Sequence, residues 1–90
     1  MTISSRIHSK LTEALAPIRL VVSDDSERHL GHAGHHAEGE SHFQVTVVSA
    51  AFEGKPMVAR HRMVYQLLAD EMAERVHALG LRTLAPDEDI

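Results

Sequence analysis

The sequence predicts a two-layer α+β domain with the element order helix, strand, strand, helix, strand. Two segments repeat apolar residues at helical spacing, and three short segments are β-branched or alternate apolar with polar residues. A polar segment rich in histidine separates the first two predicted strands. Ninety residues are enough for a single domain over residues 1–90, with helices packed on one face of a three-stranded mixed sheet.

The first predicted helix begins near a serine and ends at a proline. Ser4 or Ser5 can cap its N-terminus, because a serine side chain accepts a hydrogen bond from a backbone N–H of the first turn. Pro17 ends the helix, since proline disfavours helical geometry in the residue before it. The predicted apolar stripe consists of Ile7, Leu11, Ala14 and Leu15.

A long polar loop separates the first two predicted strands, which we expect to pair antiparallel. Residues 18–23, IRLVVS, form the first strand, and residues 43–49, FQVTVVS, form the second. The loop, residues 24–41, exceeds the usual limit of about 12–15 residues for a connection without regular structure, which is typical of functional or disordered segments. Alternation predicts one face of the second strand that consists of Phe43, Val45 and Val47.

The rest of the chain predicts a second helix and a third strand. Pro56 suits the first turn of the helix, where its missing N–H has no partner. Residues 77–84, HALGLRTL, form the last strand, which follows a helical crossover and can therefore pair parallel. The acidic residues 86–90 are expected to be frayed. The predicted apolar face of the helix consists of Val64, Leu67, Leu68 and Met72. Its predicted outward residues are Arg60, Gln66, Asp70 and Glu74.

The composition excludes several classes of function. The chain has no cysteine, which rules out disulfides, thiolate zinc sites and a cysteine-ligated iron–sulfur centre of its own. A formal net charge of −4 argues against broad binding to nucleic acid. No G-x-S-x-G motif or cysteine nucleophile occurs, so we do not expect an enzyme. No segment has the apolar length of a membrane span or a signal peptide, so the expected compartment is the cytosol.

Histidines are concentrated in the predicted loop. Five of the eight fall within residues 29–42, and imidazole binds zinc, copper, nickel and iron. If the loop folds back, several of them could reach one ion, as a loose site for metal or haem. His42 opens the second strand and is interpreted as a hydrogen-bonding residue of the turn, while His77 fits a structural histidine on pattern alone. The four loop histidines are His29, His32, His35 and His36.

A basic cluster lies around the start of the second helix. It consists of Lys55, Arg60 and Arg62. The functional interpretation is contact with phosphate or with an acidic partner. The more common interpretation of such a cluster is a solvated helix shoulder on which one arginine pairs with a carboxylate.

Four motifs, GESHF, FEG, RHRMVY and VHAL, occur in this order along the chain. Together they resemble the BolA family over nearly the whole sequence, from the first helix to Pro86. The resemblance implies an α-β-β-α-β fold like the class II KH domain. It also implies a bridging [2Fe–2S] cluster shared with a monothiol glutaredoxin, in iron homeostasis or cluster trafficking. Some BolA-like proteins are also described as DNA-binding regulators of morphology, stress response and biofilm formation.

The resemblance also implies which residues bind the cluster. The histidine of V-H-A-L, here His77, is the family's ligand, and a histidine or cysteine of the loop is the second. His29 stands at the matching place after DDSER, but the stretch that follows is longer in this chain and adds His32, His35 and His36 as alternatives. The thiolates would come from the partner's cysteine and from glutathione.

Three functions remain open at the level of sequence. The first is a cluster partner of a monothiol glutaredoxin, in which Lys55, Arg60 and Arg62 contact the partner or glutathione. The second is a DNA-binding transcription regulator that uses the same residues, although the G-x-x-G clamp of KH domains is replaced here by GKPM. The third is a metal or haem buffer at the loop histidines. The free protein is expected to be a monomer or a weak dimer without membrane association.

Overall fold

The computed structural model describes residues 2–24, 42–74 and 76–89. Its helices and strands are α1 (Ile3–Leu15), β1 (Arg19–Asp24), β2 (His42–Val48), α2 (Met57–Leu67), α3 (Ala69–Glu74) and β3 (Ala78–Leu84). Short 3-10 turns cover Ala50–Phe52 and Pro86–Glu88. The predicted element order is confirmed with one difference. The second predicted helix is two helices, because the backbone of the buried Leu68 departs from helical geometry.

The three strands form a mixed sheet in the order β1-β2-β3. β1 pairs antiparallel with β2, and β2 pairs parallel with β3, as expected for strands joined by a loop and by a helical crossover respectively. Asp24 is opposite Phe43, and His42 is opposite Ala78. The C-terminal end of β1 and the N-terminal ends of β2 and β3 therefore lie at the same end of the sheet.

α1 is capped by Thr2 instead of Ser4 or Ser5. The Thr2 side-chain oxygen accepts a hydrogen bond of 3.0 Å from the backbone N–H of Ser5. Ala16 closes the other end with a φ of 43°, in the left-handed region. The buried stripe consists of Ile3, Ile7, Leu11 and Leu15, whereas Ala14, predicted as part of it, is exposed. No helix within the described ranges is long and apolar enough to cross a membrane.

The core lies between the helices and one face of the sheet. The predicted alternation in β2 is confirmed, because Phe43, Val45 and Val47 are buried and Gln44 is exposed. Each fully buried side chain of this size stabilises the fold by about 1.5–3 kcal/mol. The β2 residues and the α1 stripe form one apolar cluster with Phe52, Val64, Leu68 and Val76.

Ser49 is a fully buried polar residue at the end of β2. Its hydroxyl donates a hydrogen bond of 2.6 Å to the carbonyl of Leu15 and accepts one of 3.1 Å from the N–H of Ala51. Its own N–H donates to the carbonyl of Leu84 at 2.9 Å. Ser49 therefore joins the end of α1 to the end of β3.

Arg60 lies inside the fold, so its predicted outward position on α2 is wrong. Its guanidinium donates to the carbonyl of Lys55 at 2.8 Å and to that of Thr83 at 3.1 Å. The same group pairs with Glu88 at 2.6 Å and lies 5.9 Å from the centroid of the Phe52 ring. Helical periodicity failed here because the partners that allow an arginine to be buried are distant in sequence.

Two backbone carbonyls of β3 are occupied by side chains of α2. The hydroxyl of Tyr65 donates to the carbonyl of Leu79 at 3.1 Å, and Arg60 donates to that of Thr83. These contacts fix the crossover helix beside the last strand.

Residues 86–89 are anchored, so the expectation of a frayed tail is wrong for this part of the chain. The carboxylate of Glu88 accepts hydrogen bonds from Arg60, and that of Asp89 accepts two from Arg19, at 2.9 and 2.7 Å. The hydrogen bonds from Arg60 and Arg19 hold the pKa of Glu88 and of Asp89 below their ordinary values. Residue 90, the last residue of the predicted tail, lies outside the described residues.

Glu71 ties α3 to α1 as a fully buried carboxylate. Its Oε1 accepts a hydrogen bond of 2.9 Å from Lys10 Nζ, and its Oε2 lies 2.9 Å from Arg6 Nη2. Burial by itself raises the pKa of Glu71, but the hydrogen bond from Lys10, a backbone hydrogen bond and the charges of Lys10 and Arg6 together outweigh burial and lower it. The carboxylate therefore stays charged between the two helices.

Candidate metal centre

His77 stands at the entry to β3 and is exposed to solvent. Val76, just before it, is 4% exposed, and its N–H donates to the carbonyl of Glu71 at 3.1 Å. Ala78, just after it, is paired in the sheet. The backbone is thus fixed on both sides of an accessible imidazole, which suits a ligand better than a histidine of the core.

A second imidazole, that of His42, lies beside His77. The two ring centroids are 6.4 Å apart, and the ring planes are tilted by 50°. The proximity follows from the sheet, because β2 and β3 are parallel neighbours and His42 is in register with Ala78, one residue after His77. The first residues of the two strands therefore meet at the same end of the sheet.

The sequence-based interpretation of His42 as a turn residue missed this pairing. The spacing of 35 positions between the two histidines carries no periodic signal. A usable signal was present, however, since each histidine opens a predicted strand and the two strands are joined by a helical crossover. Parallel pairing of such strands brings their starting residues together.

Two neighbouring imidazoles can take part in binding iron, zinc, nickel or copper. Within the described part of the chain, no group of three His, Cys, Asp or Glu residues is placed to hold an ion. No thiolate is available anywhere in the sequence, which has no cysteine. The arrangement therefore fits a site that completes the coordination of a metal whose other donors come from solvent or from another molecule.

The predicted alternatives for the second cluster ligand lie outside the described residues. They are His29, His32, His35 and His36. The described residues that flank this segment, Asp24 and His42, belong to the sheet end that carries His77. The assignment of a ligand among the four stays a prediction.

The three predicted basic contact residues fall into two kinds. Arg60 is buried and its guanidinium is engaged inside the fold, so a surface contact is disfavoured for it. Lys55 and Arg62 are exposed. Lys55 follows Gly54, whose φ of 74° is in the region that favours glycine. Of these three residues, Lys55 and Arg62 are therefore the ones that an acidic partner or a phosphate could reach.

Comparison with known proteins identifies the family. A family model described as BolA-like protein matches residues 11–88. The chain belongs to the BolA-like family. The solved structure of BolA1 from Arabidopsis thaliana resembles this BolA-like chain with a TM-score of 0.88 and 39% identity, over 100% of this chain and 99% of that one. The α+β fold with a three-stranded mixed sheet is therefore shared with a solved BolA structure.

Two curated relatives of the BolA-like chain carry different names. The DNA-binding transcriptional regulator BolA of Escherichia coli (strain K12) is 47% identical over 83 residues, which cover 92% of this chain and 75% of that protein. Protein BOLA1, chloroplastic, of Arabidopsis thaliana is 44% identical over 87 residues, which cover 94% of this chain and 54% of that protein. The chain thus spans about half the length of the plant relative. Because that relative is named chloroplastic, the expected cytosolic location stays a prediction.

Proposed function

We propose that this BolA-like chain is the partner of a monothiol glutaredoxin and provides imidazole ligands, first of all His77, to a [2Fe–2S] cluster shared between the two proteins. The observation that carries the proposal is the exposed imidazole of His77, held at the sheet end beside a second imidazole. The family membership of residues 11–88 supports it. The cluster is cargo that the pair stores, senses or hands on, and no substrate is turned over.

The donor set of the chain agrees with a shared cluster. Without cysteine the chain cannot supply the thiolates that hold iron–sulfur clusters, so these must come from the partner and from glutathione. Histidine ligands replace two thiolates on one iron in Rieske centres, where they raise the reduction potential. Two imidazoles from this chain would have the same chemical role. The buried Val76 and the strand residue Ala78 keep the position of His77 independent of the loop.

The decisive test is replacement of His77. The wild-type chain, mixed with a monothiol glutaredoxin, iron, sulfide and glutathione, should form a heterodimer with its own visible absorption and circular dichroism. His77→Ala should change the visible circular dichroism and accelerate cluster loss by at least about tenfold, because a ligand is removed. His8→Ala is the matched control, since His8 is exposed on α1. An unchanged spectrum and lifetime in His77→Ala would contradict the assignment.

The second ligand is located with the same measurement. His29→Ala is compared with the triple variant in which His32, His35 and His36 are replaced by alanine. The variant that shortens cluster lifetime identifies the loop residue involved. If neither variant has an effect, the second imidazole is outside this segment.

A second candidate function is DNA binding, because the relative from Escherichia coli is named a DNA-binding transcriptional regulator. The net charge of −4 and the internal engagement of Arg60 disfavour it for this chain. Lys55 and Arg62 are the basic residues of the predicted cluster that remain exposed for such contacts.

A further inference from the structure

We propose that His42 and His77 form a two-imidazole chelate for a divalent transition-metal ion, and that the chain binds the ion there without a glutaredoxin. The site goes beyond the proposed function because it needs neither cluster nor partner. It also differs from a loop site, because both residues belong to the sheet end that the structure describes.

The geometry of the pair is close to that of a chelate. Imidazole nitrogens bind zinc at about 2.0–2.1 Å, so two rings on one tetrahedral ion have centroids about 5 Å apart. The observed separation is 6.4 Å. Side-chain rotation by either residue can supply an approach of about 1 Å, because His77 is exposed and His42 is only half-buried.

The backbone beneath both rings is already in place. His42 is the first residue of β2 and precedes the buried Phe43. His77 lies between the buried Val76 and the paired Ala78. Sites on regular elements are more precisely positioned than sites on loops; His42 belongs to β2 and His77 directly precedes β3, so the sheet brings the pair together without a cost for ordering a loop.

The donor type selects the class of ion. Imidazole suits zinc, copper, nickel and iron, whereas magnesium and calcium prefer oxygen ligands. Affinities for a nitrogen site rise from manganese to copper along the first transition row. Since no third protein donor completes the site within residues 2–24, 42–74 and 76–89, water would fill the other positions and the ion should exchange readily.

A competing interpretation is that the two rings only pack against each other. Aromatic rings commonly pair with centroids 4.5–7 Å apart at offset or tilted angles, as these do. Packing alone predicts no metal affinity that depends on both residues, so a metal titration separates the two interpretations.

The test uses nickel(II) chloride and the full chain, with no glutaredoxin, iron or sulfide present. The loop histidines are first replaced by asparagine, as His29→Asn, His32→Asn, His35→Asn and His36→Asn, so that they cannot bind the ion. We expect this background to bind one nickel ion by isothermal titration calorimetry. Adding either His42→Asn or His77→Asn should weaken binding at least tenfold, whereas adding His8→Asn should leave it unchanged.

A second readout does not depend on substitution at the sheet end. Paramagnetic nickel should selectively broaden the backbone amide resonances of residues 42–44 and 77–79 in the background protein. Absence of nickel binding in the background protein, or binding that survives loss of either His42 or His77, would overturn the proposed chelate.

Circular dichroism of each variant checks that it folds, and the broadening experiment tests the chelate by itself if His42→Asn does not fold. Because glutaredoxin is absent, failure here leaves the proposed cluster role standing, and failure of that role leaves the chelate standing.

Discussion

Ser49 connects three parts of the fold through one residue. Its hydroxyl bonds to Leu15 and Ala51 while fully buried, and its N–H bonds to Leu84. Ser49→Ala removes the hydroxyl, so the buried carbonyl of Leu15 loses its hydrogen-bond donor and the N–H of Ala51 loses its acceptor. We therefore expect the free energy of unfolding to fall by about 1–3 kcal/mol.

Urea unfolding followed by circular dichroism measures the effect of Ser49→Ala. Ser9→Ala, on the partly exposed surface of α1, is the control and should change the free energy of unfolding by less than about 0.5 kcal/mol. Equal midpoints for the two variants would show that the Ser49 hydroxyl contributes nothing net.

Three single residues show which parts of the site the sequence could predict and which it could not. His77 could be predicted as a ligand from the V-H-A-L motif, because the same motif in the BolA family contains the ligand histidine. His42 could not, because its relation to His77 depends on β2 and β3 being parallel neighbours in register. Arg60 was misplaced for a similar reason, since Thr83 and Glu88 reach it only after the chain has folded.

The pairing of α1 with α3 depends on the charged state of Glu71 between Lys10 and Arg6. The pKa of Glu71 is below its ordinary value of 4.5, so its ionised form stabilises the fold above that pH, and this contribution is lost as the pH falls through the lowered value. Glu71→Gln removes the charge and should lower the free energy of unfolding at neutral pH by about 1–3 kcal/mol.

The pH dependence distinguishes this effect from simple loss of packing. As the pH falls through 4.5 and below, the free energy of unfolding of the wild type should fall more steeply than that of Glu71→Gln, because in the wild type the unfolded chain takes up a proton at this position more readily than the folded chain does. Glu13→Gln, at an exposed position of α1, makes the same chemical change as a control and should keep the wild-type slope. Parallel curves for wild type and Glu71→Gln would refute the role of the buried charge.

Helices and strands could be predicted from the sequence where a single periodicity of apolar residues runs through the whole element. The alternation of Phe43, Val45 and Val47 predicted β2, and the mixed pairing followed from the order of loop and crossover. The break at Leu68 was not predictable, since the apolar period continues from α2 into α3. Thr2 was missed as the cap because three candidate hydroxyl residues stand within four positions, and only the backbone angles select one.

The charge of the whole molecule sets its expected behaviour towards nucleic acid. With a net charge of −4 and Arg60 engaged internally, we expect duplex DNA to bind no tighter than about 10⁻⁴ M at physiological salt. Fluorescence anisotropy across a salt series is the measurement. Tighter binding, with a salt slope that falls by about 0.9 for each of Lys55→Ala and Arg62→Ala but not for Arg82→Ala, would instead support the regulator.

The contacts between α2 and β3 have a consequence for self-association. An outer strand of a sheet is a template on which another chain can add a strand, which is a common route to aggregation. On β3, Tyr65 and Arg60 already donate to the carbonyls of Leu79 and Thr83. An incoming strand would have to displace both donors, so this border of the sheet is protected by the protein's own crossover helix.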